Sequence, residues 1–159
     1  MGAALDMMSY TLLAEAWGRA DLSSGTVFHA HMMTAMAILG HGTDAQKSNY
    51  LEAMATGEKL GAFALTEPAA GSDPGSMLTE ALPDGDDYLL NGVKSWVTNA
   101  GRAGIYVVFA RAPEGITGFI VDAETPGLKV GGREKTLGLR GAEIRALYLD
   151  HARIPAANV

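Results

Sequence analysis

Apolar residues recur every three or four positions over roughly the first 60 residues, which is the spacing of amphipathic helices. The first stripe predicts a helix that is interrupted from Asp21 to Ser24. A second helix is expected from about Gly25 to Leu39. It is apolar on nearly every side, so we expect it to be buried among other helices. The first stripe consists of Leu5, Met8, Leu12, Leu13 and Trp17.

A third helix has sequence signals at both ends. Thr43 and Gln46 have the spacing of a capping box, in which each side chain bonds to the backbone of the other residue. Gly57 is suited to end this helix, because glycine readily adopts the left-handed conformation that follows a last turn. Tyr50, Leu51 and Met54 are predicted to lie on its inner face.

After Gly61 the pattern changes to short alternating or β-branched runs, which predict strands. Turn signals separate them at Pro83–Asp86 and at Asn91-Gly92, and the second is typical of a two-residue hairpin. The predicted fold class is α+β, with a partial helical bundle in residues 1–60 and an antiparallel β-sandwich or barrel in residues 61–159. The runs are Leu78–Leu82, Tyr88–Leu90, Val93–Thr98, Ile105–Ala110, Gly118–Val121 and Ile144–Leu149.

Composition and charge exclude several kinds of partner. A net charge of −6 and a pI near 5.1 oppose binding to nucleic acid or to an anionic membrane surface. No apolar run approaches the roughly 20 residues of a membrane span, and Met1–Asp6 shows no targeting signal. The chain has no cysteine, which excludes disulfides and thiolate metal sites and fits a cytoplasmic, reducing compartment. His29 and His31 point apart on a helix, so no metal site is predicted.

The most informative stretch for function is Phe63–Ser76, in which the first predicted strand, Gly61–Leu65, is followed by a polar loop. Thr66, Glu67, Ser72 and Asp73 lie there among prolines and glycines. Proline restricts φ and glycine permits tight turns, so such a loop presents hydroxyls and backbone N–H groups in fixed positions. This arrangement is suited to binding a polar, planar ligand.

The same loop resembles the signature of the acyl-CoA dehydrogenases, which use FAD to introduce a double bond into acyl-CoA thioesters. The resemblance continues in family order to Ile154-Pro155 and covers essentially the whole chain. It implies a fragment or truncated protein, since family members have further helices before the point matching Met1 and a four-helix domain after the point matching Val159. The matching segments are Ala64-Leu-Thr-Glu67, Ala70-Gly-Ser-Asp73, Ser76, Asn91-Gly-x-Lys-x-Trp-x-Thr-Asn99, Phe119-Ile-Val121 and Leu137-Gly-Leu-Arg-Gly141.

The resemblance implies a set of FAD contacts. Reduction adds electron density at one edge of the flavin, so hydrogen-bond donors are needed there. The hydroxyls of Thr66 and Thr98 are the candidates, and Trp96 would lie against the ring system. Ser72 matches a serine near the thioester and pantetheine chain of the substrate. The full set of cofactor-binding candidates is Phe63, Leu65, Thr66, Trp96, Val97 and Thr98, with Leu65, Thr66 and Val97 contributing backbone groups.

The resemblance also implies a reaction and its partners. In the family, a glutamate removes the α-proton of an acyl-CoA and the β-hydrogen passes to flavin N5 as hydride. That glutamate matches a position beyond Val159, so no catalytic residue is predicted within the chain, and we expect the chain alone to be inactive. An electron-transfer flavoprotein or another acceptor would then take the electrons, and the full-length protein would be a homo-oligomer. The apolar second helix predicts self-association or domain swapping of this chain.

Other interpretations of the same residues remain open. Without the resemblance, Trp96 is equally an aromatic of a β core, and Thr66 and Thr98 are turn hydroxyls. Glu67 and Asp73 could form the acid and base of a hydrolase, although the resemblance makes Glu67 a conformational part of the loop, and Asp73 is more typical of a residue that bonds to its own turn. Two rival functions are a catalytically silent β-module that binds acyl-CoA or a partner, and a flavin monooxygenase or oxidase on the same scaffold.

Overall fold

The computed structural model describes residues 6–159. Leu5, which the sequence analysis placed on the first helix, lies outside this range, as do most of the residues considered for a targeting signal. Three helices precede seven strands in the described part of the chain. The helices are α1 (Met7–Ala20), α2 (Leu22–His41) and α3 (Asp44–Ala55). The strands are β1 (Gly61–Ala64), β2 (Glu80–Asp84), β3 (Asp87–Thr98), β4 (Ile105–Ala112), β5 (Gly115–Asp122), β6 (Leu128–Arg133) and β7 (Ile144–Ile154).

The helix ends follow local capping chemistry. Asp21 has extended backbone and its carboxylate accepts hydrogen bonds from the N–H groups of Ser23 and Ser24. The predicted interruption is therefore a single capping residue, and α2 begins at Leu22 rather than near Gly25. The predicted capping box of α3 is confirmed, with Thr43 and Gln46 bonded reciprocally. A capping side chain of this kind contributes about 1 kcal/mol.

The seven strands form one curled mixed sheet, and the α+β class is confirmed. The strand order is β1-β4-β2-β3-β7-β6, with β5 paired to β4. The sheet is not wholly antiparallel, because β1 runs parallel to β4 from the Gly61–Ile105 pair to the Ala64–Val108 pair. A parallel pair requires a long connection, and here the loop after β1 and the β2–β3 hairpin supply it.

The prediction of a hairpin at Asn91-Gly92 is wrong. Both residues lie inside the continuous strand β3, at a register shift in its pairing with β7. The Asn91 Oδ1 accepts a hydrogen bond from the His151 N–H (2.8 Å), so the asparagine joins two strands instead of turning the chain. The hairpin turn is the one signalled around Gly85, which has a φ of +66°.

Two apolar cores lie on opposite sides of β4. Tyr106 and Val108 point into a core formed within the curled sheet. Ile105 and Val107 point to the other side and pack with residues of α2 and α3, including Ile38 and Met54, in a second core. This alternation follows from the two-residue period of a strand. As a result, β4 is buried on both faces, and it fixes the helices against the sheet.

Asn99 joins α2 to the sheet. Its side chain is 2% exposed and its Nδ2 donates to the carbonyls of Val27 (2.9 Å) and Gly61 (3.0 Å). The φ of Asn99 is +70°, a left-handed conformation that asparagine adopts more readily than most residues. From the other side, the N–H of Gly61 donates to Nδ1 of His31 (3.0 Å). Helix α2 is thus attached to the start of β1 in two ways: Asn99 bridges the carbonyls of Val27 and Gly61, and the His31 side chain accepts from Gly61 directly.

Replacing Asn99 should loosen this attachment. We expect Asn99→Ala to lower the free energy of unfolding by about 2–3 kcal/mol, because the buried carbonyl of Gly61 and the partly buried carbonyl of Val27 lose their donor. Asn49→Ala is the matched control, since Asn49 is an exposed residue of α3, and it should change stability by less than about 0.5 kcal/mol. Urea unfolding of both variants gives the comparison. A loss for Asn99→Ala no larger than that of the control would contradict the assigned role.

Candidate functional site

A cleft of about 250 Å³ opens between α2 and the ends of β1 and β3. The wall from α2 consists of residues three or four positions apart, which places them on one face of the helix. The opposite wall comes from the end of β1, the loop that follows it and the last residues of β3. The lining residues are Thr26, His29, Ala30, Met33, Phe63, Leu65, Thr66, Ser95, Trp96 and Thr98.

The cleft contains most of the side chains selected from the sequence. Thr66 lies on one wall, and Trp96 and Thr98 lie beside it, although some thirty positions separate the two segments. Phe63 and Leu65 line the cleft as well. The side chain of Val97 does not, because it is 1% exposed and packs in the core within the sheet. Its contribution could therefore come only from the backbone, as the sequence analysis expected.

Ser72 lies outside this group. It is an exposed residue of the loop between β1 and β2 and does not line the cleft. Asp73, next to it, accepts a hydrogen bond from the N–H of Gly75 (3.1 Å), so its carboxylate does bond to its own turn. Both residues belong to the proline- and glycine-rich part of the loop, and neither lines the cleft. Ser72 could reach a ligand only beyond the cleft itself.

Trp96 has an unusual backbone and an unusually exposed side chain. Its φ is +59°, and it lies at a bulge where the pairing of β3 with β7 shifts between Lys94 and Val97. The bulge interrupts the alternation of side chains along β3, yet Trp96 and Thr98 both lie beside the same cleft. The indole is 62% exposed. Strained backbone that displays a large apolar ring next to a cleft is a feature of ligand-binding sites.

Sequence reasoning missed the contribution of α2 to the cleft. His29 was considered in the sequence only as a metal ligand, but it lines the cleft, and its Nδ1 lies 2.6 Å from the hydroxyl oxygen of Tyr10. The available signal was the spacing of Thr26, Ala30 and Met33, which with His29 occupy one helical face. That spacing marks a face but does not say what the face contacts. His31, on a different face, is instead held against the start of β1, and burial lowers its pKa.

A buried ion pair lies directly behind the cleft wall. Lys94 and Glu67 have side chains that are 0% and 3% exposed, and Lys94 Nζ is 2.7 Å from Glu67 Oε1. The same ammonium donates to the carbonyl of Leu65 (3.0 Å). The other contacts of Glu67 are the N–H groups of Leu78 (2.6 Å) and Thr79 (3.0 Å). Three donors therefore hold the carboxylate in place, which argues against its acting as an acid or base.

The pKa of Glu67 reflects these contacts. Burial by itself raises the pKa, but the Lys94 ammonium and the two backbone N–H groups outweigh it and lower the pKa from 4.5 to about 2. Burial also lowers the pKa of Lys94, and Glu67 opposes that shift. At neutral pH the two groups therefore form an ion pair.

The lowered pKa predicts a specific loss of stability in acid. A carboxylate whose pKa is depressed in the folded state stabilises that state above its ordinary pKa of 4.5, and the contribution is lost as the pH falls towards 2. We expect this loss to be roughly 3 kcal/mol for Glu67. Urea unfolding of the wild type and of Glu67→Gln between pH 6 and pH 2 measures it. The difference in free energy of unfolding between the wild type and the variant should shrink as the pH falls through that range. A difference that stays constant would contradict the prediction.

Other classes of site find little support in the described residues. Within residues 6–159, no group of three histidine, aspartate or glutamate side chains is placed to bind a metal ion. None of the helices described is long and apolar enough to cross a membrane. The cleft beside Trp96 is the candidate that contains the residues selected from the sequence, with hydroxyls, an indole and a histidine at its walls.

Comparison with known proteins agrees with the architecture. The family model for the acyl-CoA dehydrogenase middle domain matches residues 62–152, and that for the acyl-CoA dehydrogenase N-terminal domain matches residues 1–58. An acyl-CoA dehydrogenase of Bacillus subtilis (strain 168) is 43% identical, over 99% of this chain and 43% of the relative. The chain thus spans about two fifths of the length of that relative.

Solved structures give the same result. A glutaryl-CoA dehydrogenase from Mycobacterium smegmatis in complex with FADH2 superposes with a TM-score of 0.95 and 34% identity, covering 98% of this chain and 41% of that one. A prolyl acyl carrier protein oxidase superposes with a TM-score of 0.90 and 36% identity, covering 99% of this chain and 44% of that one. Fold, motif order and sequence identity agree, and the chain belongs to the acyl-CoA dehydrogenase family.

Proposed function

We propose that the chain is the flavin-binding part of an FAD-dependent acyl-CoA dehydrogenase. Residues 1–60 would be a partial N-terminal helical domain, and residues 61–159 the central β-domain. The observation that supports this most strongly is the meeting of Thr66, Trp96 and Thr98 at one cleft. Some thirty positions separate Thr66 from Trp96 and Thr98, so the spacing along the chain does not by itself bring the two segments together.

The cleft residues fit an isoalloxazine ring. The ring needs an apolar surface against its face and hydrogen-bond donors along one edge. The exposed indole of Trp96 would supply a surface, and the hydroxyls of Thr66 and Thr98, on the same side of the cleft, would supply donors. Bound FAD would supply the redox chemistry by accepting a hydride from the substrate. The residues of the cleft would orient the ring.

The substrate would be an acyl-CoA, with Ser72 near its thioester or pantetheine part. The base that removes the α-proton would lie outside these 159 residues, because Glu67 is committed to Lys94 and the backbone. Among the described residues that line the cleft there is no carboxylic acid.

We further propose an electron-transfer flavoprotein or another acceptor as redox partner, a homo-oligomeric full-length protein, and a cytoplasmic location consistent with the absence of cysteine.

An oxidase is the second candidate function. The similarity to a prolyl acyl carrier protein oxidase favours it, since that protein shares the fold at a comparable sequence identity. The two functions differ in how the reduced flavin is reoxidised. Rapid reoxidation by dissolved oxygen after photoreduction would favour the oxidase, and slow reoxidation would favour the dehydrogenase. A chain that acquires no flavin at all would instead favour the silent binding module.

Flavin titration of variants tests the proposal. We expect the chain to bind FAD, and Trp96→Leu to weaken binding about tenfold through loss of ring contact. Thr98→Val should weaken it about fivefold by removing one hydroxyl without changing the shape of the side chain. Trp17→Leu is the control, because Trp17 stacks on Phe28 outside this cleft. Equal affinities for all four proteins would contradict the assigned site.

Anaerobic addition of acyl-CoA tests where the base lies. We expect the flavin bound to this chain to stay oxidised, because the cleft lacks a carboxylate that could take the α-proton. Loss of the flavin absorbance would show that the chain contains its own base. His29 would then be the first residue to replace, as it is the ionisable side chain among the described residues that line the cleft.

A further inference from the structure

We propose that Lys94 is a positioning residue for the flavin edge, acting through Glu67 and the backbone on either side of Thr66. This inference rests on the proposed function of the cleft. It assigns a role to a side chain that the cleft itself does not expose, since Lys94 is fully buried behind the wall. The geometry of three consecutive residues supports it.

Lys94 and its neighbour in β3 bind Leu65, Thr66 and Glu67 in turn. The Lys94 ammonium donates to the Leu65 carbonyl (3.0 Å) and to Glu67 Oε1 (2.7 Å). Between them, the Thr66 carbonyl accepts from the N–H of Ser95 (2.8 Å). Thr66 is therefore fixed from both flanking residues and from its own peptide group. One short segment of β3 sets where its side chain lies in the cleft.

Glu67 extends the same attachment to the far end of the loop. Its carboxylate accepts from the N–H groups of Leu78 and Thr79, and its backbone N–H and carbonyl bond to Ala70 at 2.9 Å and 3.2 Å. The two ends of the loop from Thr66 to Thr79 thus meet at one buried carboxylate. The loop cannot shift at its start without breaking contacts at its end.

The same segment of β3 also places Trp96. The bulge between Lys94 and Val97 turns the indole of Trp96 towards the cleft while the Lys94 side chain stays buried. The ion pair consequently fixes Thr66 relative to the ring surface offered by Trp96. Buried ion pairs are seldom a net source of stability, because desolvation offsets their attraction, whereas their directional bonds can impose one geometry.

The double variant Glu67→Gln/Lys94→Met tests this role, since it removes both charges and leaves neither one unpaired. We expect the N–H groups of Glu67, Leu78, Thr79 and Ser95 to exchange with solvent about tenfold faster, while those of β4 keep their protection. FAD affinity should fall about tenfold, the equivalent of ~1.4 kcal/mol, with a changed visible spectrum of the bound flavin. Lys59→Met/Asp122→Asn is the matched control, because this pair is 3.5 Å apart and half-exposed, away from the cleft. It should alter neither quantity.

Each outcome decides the proposal. Exchange and FAD affinity both within about twofold of the wild type would overturn it, and so would faster exchange with unchanged affinity and spectrum. If the wild type binds no FAD, the proposed function fails and the exchange of the four N–H groups alone decides whether the pair fixes the loop. If the double variant loses protection in β4 as well, Glu67→Asp is measured in its place. That variant keeps the carboxylate but shortens the side chain, so the four N–H groups should exchange faster and FAD should bind more weakly than in the wild type.

Discussion

Replacing Lys94 with methionine should lower the free energy of unfolding by about 3–5 kcal/mol, the usual consequence of leaving one buried charge without its partner. The Glu67 carboxylate would keep the N–H groups of Leu78 and Thr79 but lose the ammonium 2.7 Å away. Because the pKa of Glu67 depends on Lys94, the carboxyl group should also become easier to protonate. The variant should therefore recover part of its lost stability as the pH is lowered from 7 to 5.

Urea unfolding at both pH values measures this effect. Lys59→Met is the control, since Lys59 is 42% exposed and its contact with Asp122 is 3.5 Å long. An exposed pair of this kind contributes about 0–1 kcal/mol, so the control should be nearly as stable as the wild type. A Lys94→Met protein that unfolds with the same midpoint as the control would mean that the buried pair is not formed.

Replacing Gly92 with alanine should lower the free energy of unfolding by about 3 kcal/mol, by combining strained backbone with a steric clash. Gly92 has a φ of +150°, which side chains rarely tolerate. A Cβ atom there would lie 2.8 Å from the Cα of Thr79 and would also meet its Oγ1. Since Thr79 donates its N–H to Glu67, the clash would be transmitted to the loop behind the cleft.

Gly132→Ala is the matched control for this prediction. It lies in β6, and no atom lies within 4 Å of the position that its Cβ would take. The control should change stability by less than about 0.5 kcal/mol. Thermal unfolding of the two variants side by side suffices. Equal stability would show that β3 and the segment at Thr79 do not approach each other so closely.

Local signals in the sequence predicted local structure well. The capping box of Thr43 and Gln46 and the turn at Gly85 involve residues a few positions apart, so the interacting groups are visible in one short stretch. The observed start of α2 differs from the predicted start by a few residues, because Asp21 both ends α1 and caps α2. The family motifs selected Thr66, Trp96 and Thr98, and folding brings them to one cleft.

Features that depend on distant partners could not be predicted from the chain alone. Asn91-Gly92 has the composition of a hairpin turn, but Asn91 bonds to His151, sixty positions away, and the strand continues. Lys94 occupies a motif position that says nothing about Glu67, and their pairing exists only after the sheet has formed. The parallel pairing of β1 with β4 and the bulge at Trp96 likewise depend on strands that are far apart in the sequence.

The two indole N–H signals of the chain test the flavin site most directly. The chain has two tryptophans: Trp96 lines the candidate cleft, and Trp17 stacks on Phe28 and lines another. Titrating FAD into the protein in an NMR experiment should shift or broaden the Trp96 indole signal and leave that of Trp17 in place. If FAD binds and the Trp96 signal does not respond, or if the Trp17 signal responds alone, the assignment of the cleft as the flavin site is wrong.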